Sequence, residues 1–508
     1  MVLWMNTLVD RLHELARVQP DALFLRSDFV DMTWRELAEA SLRMSSLLCS
    51  VGVNRGDHVV LLCSNRPAFL VAFFAILNRG AVAVTVNTAL VDEGLRYAVR
   101  QSDAKTIVIE DLILDEKRAD IESVLEGRAL ISLEGETQFL ARLSSFPMDE
   151  PGDGKASDPC TIIYTSGTTG PPKAVLNSHR AYLACGELTV RLLQLSGKDR
   201  IMVFLPLFHA NPQMYAVASS LVAGCGLAIC PKMSISRLFE DSRRFGCTIF
   251  TYVGTVLAML VSRITWREEN HHLRGCIGGG APQEIWQAVE ERFGILVHEL
   301  YGMSEIGGWV TGNGISGRRM GSCGLPRGDV EIRVFDSEDR PLPRGARGEI
   351  VVRPREPNVI FSGYYNDAQA TCRSARNLWF HTGDLGSFDS DGFLYFHGRN
   401  SEIIKRGGEN IAPAEIEAAL RDHPDIEDVA VVAVPDAIYG EEIKAVIVRR
   451  REFAPEDVHG FLNGKIPRFM LPRYVQFVQA IPKTETQKVK RNLLQGGEGA
   501  IDLLITPR

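Results

Sequence analysis

Between residues 58 and 111, short β-branched runs alternate with helical ones. HVVLLC (58–63) and AVAVTV (81–86) read as strands, AFLVAFFAILNRG between them as a buried helix ended by Gly80, and TIVIED (106–111) as the next strand. This alternation predicts stacked βα units on a largely parallel sheet. At the start, MVLWMNTLVDRLHELARVQP meets Asp10 and Arg11 too early for the apolar core of a signal peptide and reads as a first amphipathic helix. The two most apolar stretches, 69–86 and 201–230, are interrupted by Asn78 and Arg79 and by Pro206, His209, Asn211 and Pro212. Both are expected as buried strand and helix rather than as a membrane span of about 20 residues.

Around 320–400 the texture changes to short strands and turns: VEIRVFDSEDRPLPRG, GEIVVR and FDSDGFLYFHG, with Asp391-Gly392 as a hairpin signal. This part is expected to be antiparallel and barrel-like. From Gly398 a new unit begins: IAPAEIEAALRDHP is a helix with Pro413 in its first turn and Ile416 and Leu420 on one face, followed by strands DVAVVAVPD and EIKAVIVRR and a helix VHGFLNGKI. The expected architecture is α/β: a large N-terminal domain over 1–398, a hinge over 399–402 and a small α+β C-terminal domain over 403–508.

At 508 residues the chain exceeds what one core usually holds. Its 45% hydrophobic and 23% charged residues are those of an ordinary soluble protein, and a net charge of −7 without a long basic run argues against a nucleic-acid partner. The ten cysteines are scattered without a CxxC pair, which fits reduced thiols in the cytoplasm.

The chemistry begins at YTSGTTGPPK, where Thr165, Ser166, Gly167, Thr168, Thr169 and Gly170 precede Lys173. Glycines let backbone amides approach an anion, hydroxyls add donors and lysine supplies charge, which together make a polyphosphate cradle. A generic Gly/Ser/Thr cluster is more often a surface loop, and the spacing is not that of a Walker loop.

The stretch resembles the signature loop of the adenylate-forming (ANL) superfamily, which includes acyl-CoA synthetases, luciferases and peptide-synthetase adenylation domains. The resemblance continues in order through MTWRELAEASLRMSSLLCSVGVNRGDHVVLLCSNRPAFL, FLPLFH (204–209), GGGAP (278–282), YGMSE (301–305), GEIVVR, SGYYND, HTGDL (381–385), GRNSEIIKRGGENIAPAEIE (398–417) and PKTETQKVKR (482–491). It implies an acid–thiol ligase using ATP, Mg²⁺ and coenzyme A. A carboxylate attacks the α-phosphorus, pyrophosphate leaves, and the CoA thiol then displaces AMP.

The same resemblance assigns residues. Tyr301 would stack on adenine with Gly279, Gly280, Ala281 and Pro282 at its edge, and Gly302, Met303 and Ser304 would line the nucleotide. Glu305 would hold Mg²⁺, a hard ion suited to carboxylate oxygen. Asp384 would accept the ribose hydroxyls, and Arg399 would reach the ribose or the α-phosphate. Lys488 would stabilise the charge growing between carboxylate and α-phosphate. Ser401 would be the pivot between two orientations of the small domain, the second of which brings Lys405, Gly407 and Gly408 to the thioester-forming site.

The acid is expected among His209, Asn211 and Tyr215 of the segment after PLFH and Gly308 and Trp309 after Glu305. His209 is expected where acyl pocket meets thiol channel, or else as a satisfied buried histidine. The wording resembles ligases of the carnitine and medium-chain type and those of secondary metabolism. Three departures stand out: Ala174 and Gln487, where the family usually has glycine, and Ser401, where it more often has Asp or Lys. The first two leave open a specialist that mainly forms the thioester from a supplied adenylate. An enzyme that loads a carrier protein, a non-catalytic adenylate-binding regulator and a homodimeric state stay open as well.

Overall fold

The computed structural model describes residues 7–165, 172–314, 317–399, 402, 404–406, 409–411, 413–436, 439–463, 465–466, 468–484, 489–496 and 499–503. They form two compact units. The first comprises 1–332, 352–380 and 392–394, and the second 333–351, 381–391 and 395–508.

Two large sheets make the first unit. One has seven strands in the order Gly363–Tyr364, Lys173–Ser178, Pro159–Thr165, Val82–Thr85, His58–Leu62, Thr106–Glu110, Ala129–Leu133. Its strands from Pro159–Thr165 to Ala129–Leu133 run parallel, whereas Lys173–Ser178 pairs antiparallel with both its neighbours. The other has nine strands, ordered Leu325–Pro326, Gly308–Gly312, Leu296–Met303, Gly275–Gly279, Ile249–Val253, Arg200–Val203, Gly226–Ile229, Leu23–Ser27, Met32–Thr33. Its centre is parallel from Leu296–Met303 to Leu23–Ser27. Such strands are buried on both faces and need continuous apolar runs, as HVVLL, VAVT and TIVIE supply.

The helix Pro67–Asn78 starts with proline in its first turn and is buried all round, so it carries no polar face. It joins strands of both sheets and the helices Leu8–Val18, Trp34–Ser50 and His179–Leu193 in one continuous core. Two of these helices start on side-chain caps: Thr7 Oγ1 accepts from Asp10 N, and Thr33 with Glu36 forms a reciprocal capping box. After FLPLFH the expected helix is first a π-helical turn, Asn211–Val217, and only then α-helical over Ala218–Ala223.

Most of a four-stranded sheet falls in the second unit, in the order Val330–Phe335, Gly348–Pro354, Phe380–Phe388, Leu394–Arg399. The Asp391-Gly392 turn links its last two strands, with Gly392 at φ +90°. The rest of this unit is a six-stranded sheet in which Ile426–Asp436 and Gly440–Arg449 form a long antiparallel pair. The helix Pro413–Arg421 buries Ile416 and Leu420 against it, as its 3.6-residue spacing predicts. The second helix is shorter than expected, Asp457–Leu462. Among the described residues no helix is long and apolar enough to cross a membrane, and all ten cysteines are free thiols.

Candidate active site

In the first unit, three of the sequence motifs lie at the ends of parallel strands of one sheet. FLPLFH comes after Arg200–Val203, GGGAP closes Gly275–Gly279, and YGMSE closes Leu296–Met303. All three therefore lie along the carboxyl edge of one sheet, where α/β sheets place their ligands.

The loop Gly279–Pro282 is held by a residue the sequence reading missed. Glu299 Oε1 accepts from Gly280 N at 2.6 Å, and its Oε2 accepts from Ala281 N at 3.1 Å and from the Tyr252 hydroxyl at 2.6 Å. Burial pushes this carboxyl up to about 7, against the three donors that favour its ionised form. The backbones crowd here as well: a Cβ on Gly254 would lie 1.8 Å from Gly280 O, and one on Gly278 2.0 Å from Tyr252 O. Glu299 stands two residues before Tyr301 on one strand, and residues so spaced share a face. Tyr301 is itself buried, while Gly302 is exposed and Met303 and Ser304 are half-buried.

Glu305 is buried in a short 3₁₀ turn, Ser304–Ile306. Its Oε1 accepts from the Tyr364 hydroxyl at 3.1 Å, and its backbone carbonyl accepts from Phe361 N at 3.0 Å. Lys173 Nζ lies 4.7 Å from the centre of the same Tyr364 ring. Tyr364 reaches this position because Gly363–Tyr364 pairs with Lys173–Ser178. One tyrosine thus links the lysine of the signature stretch to the carboxylate of YGMSE. Burial beside that carboxylate pushes the phenol up, so it stays a donor. A buried carboxylate with a hydroxyl beside it is an all-oxygen set, which fits Mg²⁺.

Thr165 and Lys173 pair across an antiparallel register, and Thr165 Oγ1 donates to Lys173 O at 3.5 Å. Ser166, Gly167, Thr168, Thr169 and Gly170 lie outside the described residues. The Ala174 methyl is in the apolar core with Ile162 and Val84, so this departure from glycine is core packing.

A buried amide network holds FLPLFH. Asn65 Oδ1 accepts from Leu207 N at 2.8 Å and its Nδ2 donates to Leu205 O at 2.9 Å. Gln213, inside the π-turn, donates to Leu207 O at 2.7 Å and to Thr85 Oγ1 at 3.2 Å, and accepts from the Tyr182 hydroxyl. His209 is half-buried beside Phe208, and its N donates to Pro206 O at 3.0 Å. Asn211 Nδ2 donates to Tyr252 O at 3.1 Å. Tyr215, Gly308 and Trp309 are buried, and Trp309 Nε1 donates to Thr189 Oγ1 at 2.8 Å. Arg327, in a buried ion pair with Asp329, donates to the carbonyls of Trp309 at 2.7 Å and Gly307 at 3.1 Å and so fixes that strand.

In the second unit the HTGDL segment has its own clamp. Glu349 Oε2 meets His381 Nδ1 at 2.8 Å and its Oε1 accepts from Gly383 N at 3.0 Å. Thr382 Oγ1 donates to Ile350 O at 2.7 Å and accepts from Asp384 N at 3.1 Å. Gly383 at φ +73° allows this tight turn. Asp384 is buried, and Arg399 Nε lies 3.5 Å from its Oδ1, so the two residues assigned to the ribose region come together. Lys405 belongs to the strand Ile404–Arg406; Ser401, Gly407, Gly408, Gln487 and Lys488 lie outside the described residues.

Residues 12–365 match the AMP-binding enzyme family, and 415–488 match the AMP-binding enzyme C-terminal domain. The chain belongs to the AMP-binding enzyme family. The relatives of this AMP-binding enzyme include a probable CoA ligase, CCL9, of Humulus lupulus, 31% identical over 93% of this chain and 92% of that protein. A crotonobetaine/carnitine–CoA ligase of Salmonella paratyphi B is 30% identical over 94% of this chain and 97% of its own. Among solved structures, o-succinylbenzoate coenzyme A synthetase from Bacillus subtilis in complex with ATP and magnesium ion superposes with a TM-score of 0.85 at 26% identity, covering 96% of this chain and 99% of that one.

Proposed function

We propose that the chain is an AMP-forming acid–CoA ligase, which activates a carboxylic acid with ATP as an acyl-adenylate and transfers the acyl group to coenzyme A. The observation that carries this reading is the Lys173–Tyr364–Glu305 chain beside the signature hairpin, a cation and a carboxylate coupled where triphosphate and metal are expected. Lys173, Thr165 and the segment Ser166–Gly170 receive the phosphates. Glu305 holds Mg²⁺, which offsets phosphate charge when bound. Tyr301 and Gly279–Pro282, with Gly302, Met303 and Ser304, take the adenine side, and Asp384 and Arg399 the ribose.

Lys488 supplies the positive charge at the bond being broken in adenylation. The unit from 403 onward turns about Ser401 and presents Lys405, Gly407 and Gly408 for thioester formation. The acid sits against His209, Asn211, Tyr215, Gly308 and Trp309. Core packing of Ala174 removes one of the two reasons for a specialist in the second half-reaction. Ten free thiols fit a reducing, cytoplasmic setting.

The test is a product assay over aliphatic, aromatic and polycyclic acids, run with ATP and again with preformed adenylates, each with CoA. Thioester from both sources at comparable rates is expected. Thioester from the adenylate alone would reduce the activity to the second step.

A further inference from the structure

The wall on which the acid is placed is closed. Gly308 has φ +90°, and a Cβ there would lie 2.7 Å from Cys185 Sγ and 3.2 Å from both Met214 Sδ and Tyr215 Cε1. On the neighbouring helix, a Cβ on Gly186 would lie 2.9 Å from the backbone of Ala218. Carbon atoms pack no closer than about 3.5 Å, so no methylene chain threads between Gly308 and the Tyr215 ring. The strand cannot retreat without breaking the Arg327 bonds to its carbonyls and the Trp309–Thr189 bond.

Two polar atoms on this wall have no hydrogen-bond partner among the described residues. Tyr215 is 8% exposed, and its hydroxyl makes no hydrogen bond, although a phenylalanine would pack the ring equally well. Asn211 stands about one turn earlier on the same π-helical segment. Its Nδ2 is engaged by the Tyr252 carbonyl, which can only accept, so the amide orientation is determined and the buried Oδ1 is left over. Buried polar atoms are normally satisfied, so the open Asn211 Oδ1, on the segment that also carries the unpaired Tyr215 hydroxyl, points to a group supplied from outside the protein.

We propose that the acid is compact and carries a hydroxyl or amino group on its body, met by Asn211 Oδ1 and the Tyr215 hydroxyl, and is not an unbranched fatty acid. The inference rests on the acyl site being at this wall. Asn211 Oδ1 needs a donor, and the Tyr215 hydroxyl can serve the same group as donor or acceptor. A site that hydrogen-bonds a substrate group discriminates strongly against the analogue lacking it.

The experiment measures kcat/KM for thioester formation by the full chain with matched acids: butyrate against 3-hydroxybutyrate, benzoate against 2-aminobenzoate and 3-hydroxybenzoate, with octanoate and decanoate as the long-chain arm. Expected is a preference of at least about tenfold for a donor-bearing acid over its bare twin, with poor use of octanoate and decanoate. Tyr215→Phe should lower kcat/KM for the donor-bearing acid more than for its twin, compressing that ratio about tenfold. Trp309→Ala should raise the relative use of octanoate. Bare twins used equally well, or octanoate preferred, would overturn the inference while the ligase reading stands. If both variants leave every acid's kcat/KM unaltered, the acyl site lies elsewhere and the inference falls with its placement. AMP release with none of these acids would overturn the inference, and extending the failure to the wider panel of aliphatic, aromatic and polycyclic acids would overturn the ligase reading with it.

Discussion

The Tyr364 hydroxyl donates to Glu305 Oε1 at 3.1 Å, while the face of the same ring carries Lys173. The two functions separate by substitution. Tyr364→Phe keeps a ring beneath the lysine and removes one hydrogen bond to a carboxylate, worth about 1.5–3 kcal/mol. Pyrophosphate release at fixed ATP should fall roughly tenfold or more, with a raised Mg²⁺ requirement. Tyr364→Leu removes the ring as well and should cost further activity. Equal rates for Phe and wild type would show that the hydroxyl does not serve Glu305.

Glu299 should act through the adenine-side loop. In Glu299→Gln the amide NH₂ faces one of the three donors that now meet the carboxylate, a mismatch of about 1–3 kcal/mol. The KM for ATP should rise while the KM for the acid stays near its wild-type value. Steady-state kinetics with each substrate varied in turn makes the comparison.

The same carboxylate gives a pH signature. Its folded-state pKa of about 7 lies above the ordinary 4.5, so the folded chain binds this proton more tightly. The stability this contributes is fully present below pH 4.5 and is lost as pH rises through 7, about 3 kcal/mol in all. Glu299→Gln has no such proton. Urea unfolding from pH 5 to 8 should therefore show the wild type losing ground to the variant as pH rises, and a constant difference would refute the shift.

Gly254 and Gly280 test the backbone beneath the same loop. A Cβ on Gly254 would lie 1.8 Å from Gly280 O, so Gly254→Ala must displace one of the two segments. A severe loss of stability, about 4 kcal/mol or more, is expected by thermal or urea unfolding. Alanine at Gly246, where a Cβ meets nothing within 4 Å but φ is +68°, should cost only about 1 kcal/mol.

Much of the βα framework was legible because short β-branched runs such as HVVLLC and TIVIED read as strands buried on both faces. The motifs at strand ends were legible through the resemblance of their wording to the adenylate-forming family, not through hydrophobic pattern. The π-turn Asn211–Val217 was not, since it depends on the buried Gln213 side chain meeting Leu207 O just upstream and Thr85 Oγ1 from a distant part of the chain. Tyr364 was hidden in SGYYND, where spacing alone does not say which tyrosine faces inward; Tyr365 instead reaches Asp103. Glu299 had a usable signal. It precedes Tyr301 by two on a strand, so a tyrosine assigned to the adenine side already implied a carboxylate on that face.

Lys488 is assigned to the first half-reaction alone. Lys488→Ala should lower adenylate formation by about 10²–10³ while thioester formation from preformed adenylate proceeds, because the cation meets charge that develops only in the first step. Rapid-quench assays of each step separate the two, and equal losses in both would refute the assignment.

The most direct measurement follows oxygen. With an acid labelled with ¹⁸O in its carboxylate, attack on the α-phosphorus and later cleavage of the acyl–oxygen bond by CoA transfer one labelled oxygen to AMP. Mass spectrometry should find one ¹⁸O in the AMP phosphate for each thioester formed. Thioester made with unlabelled AMP, or with ADP as the nucleotide product, would contradict an acyl-adenylate route.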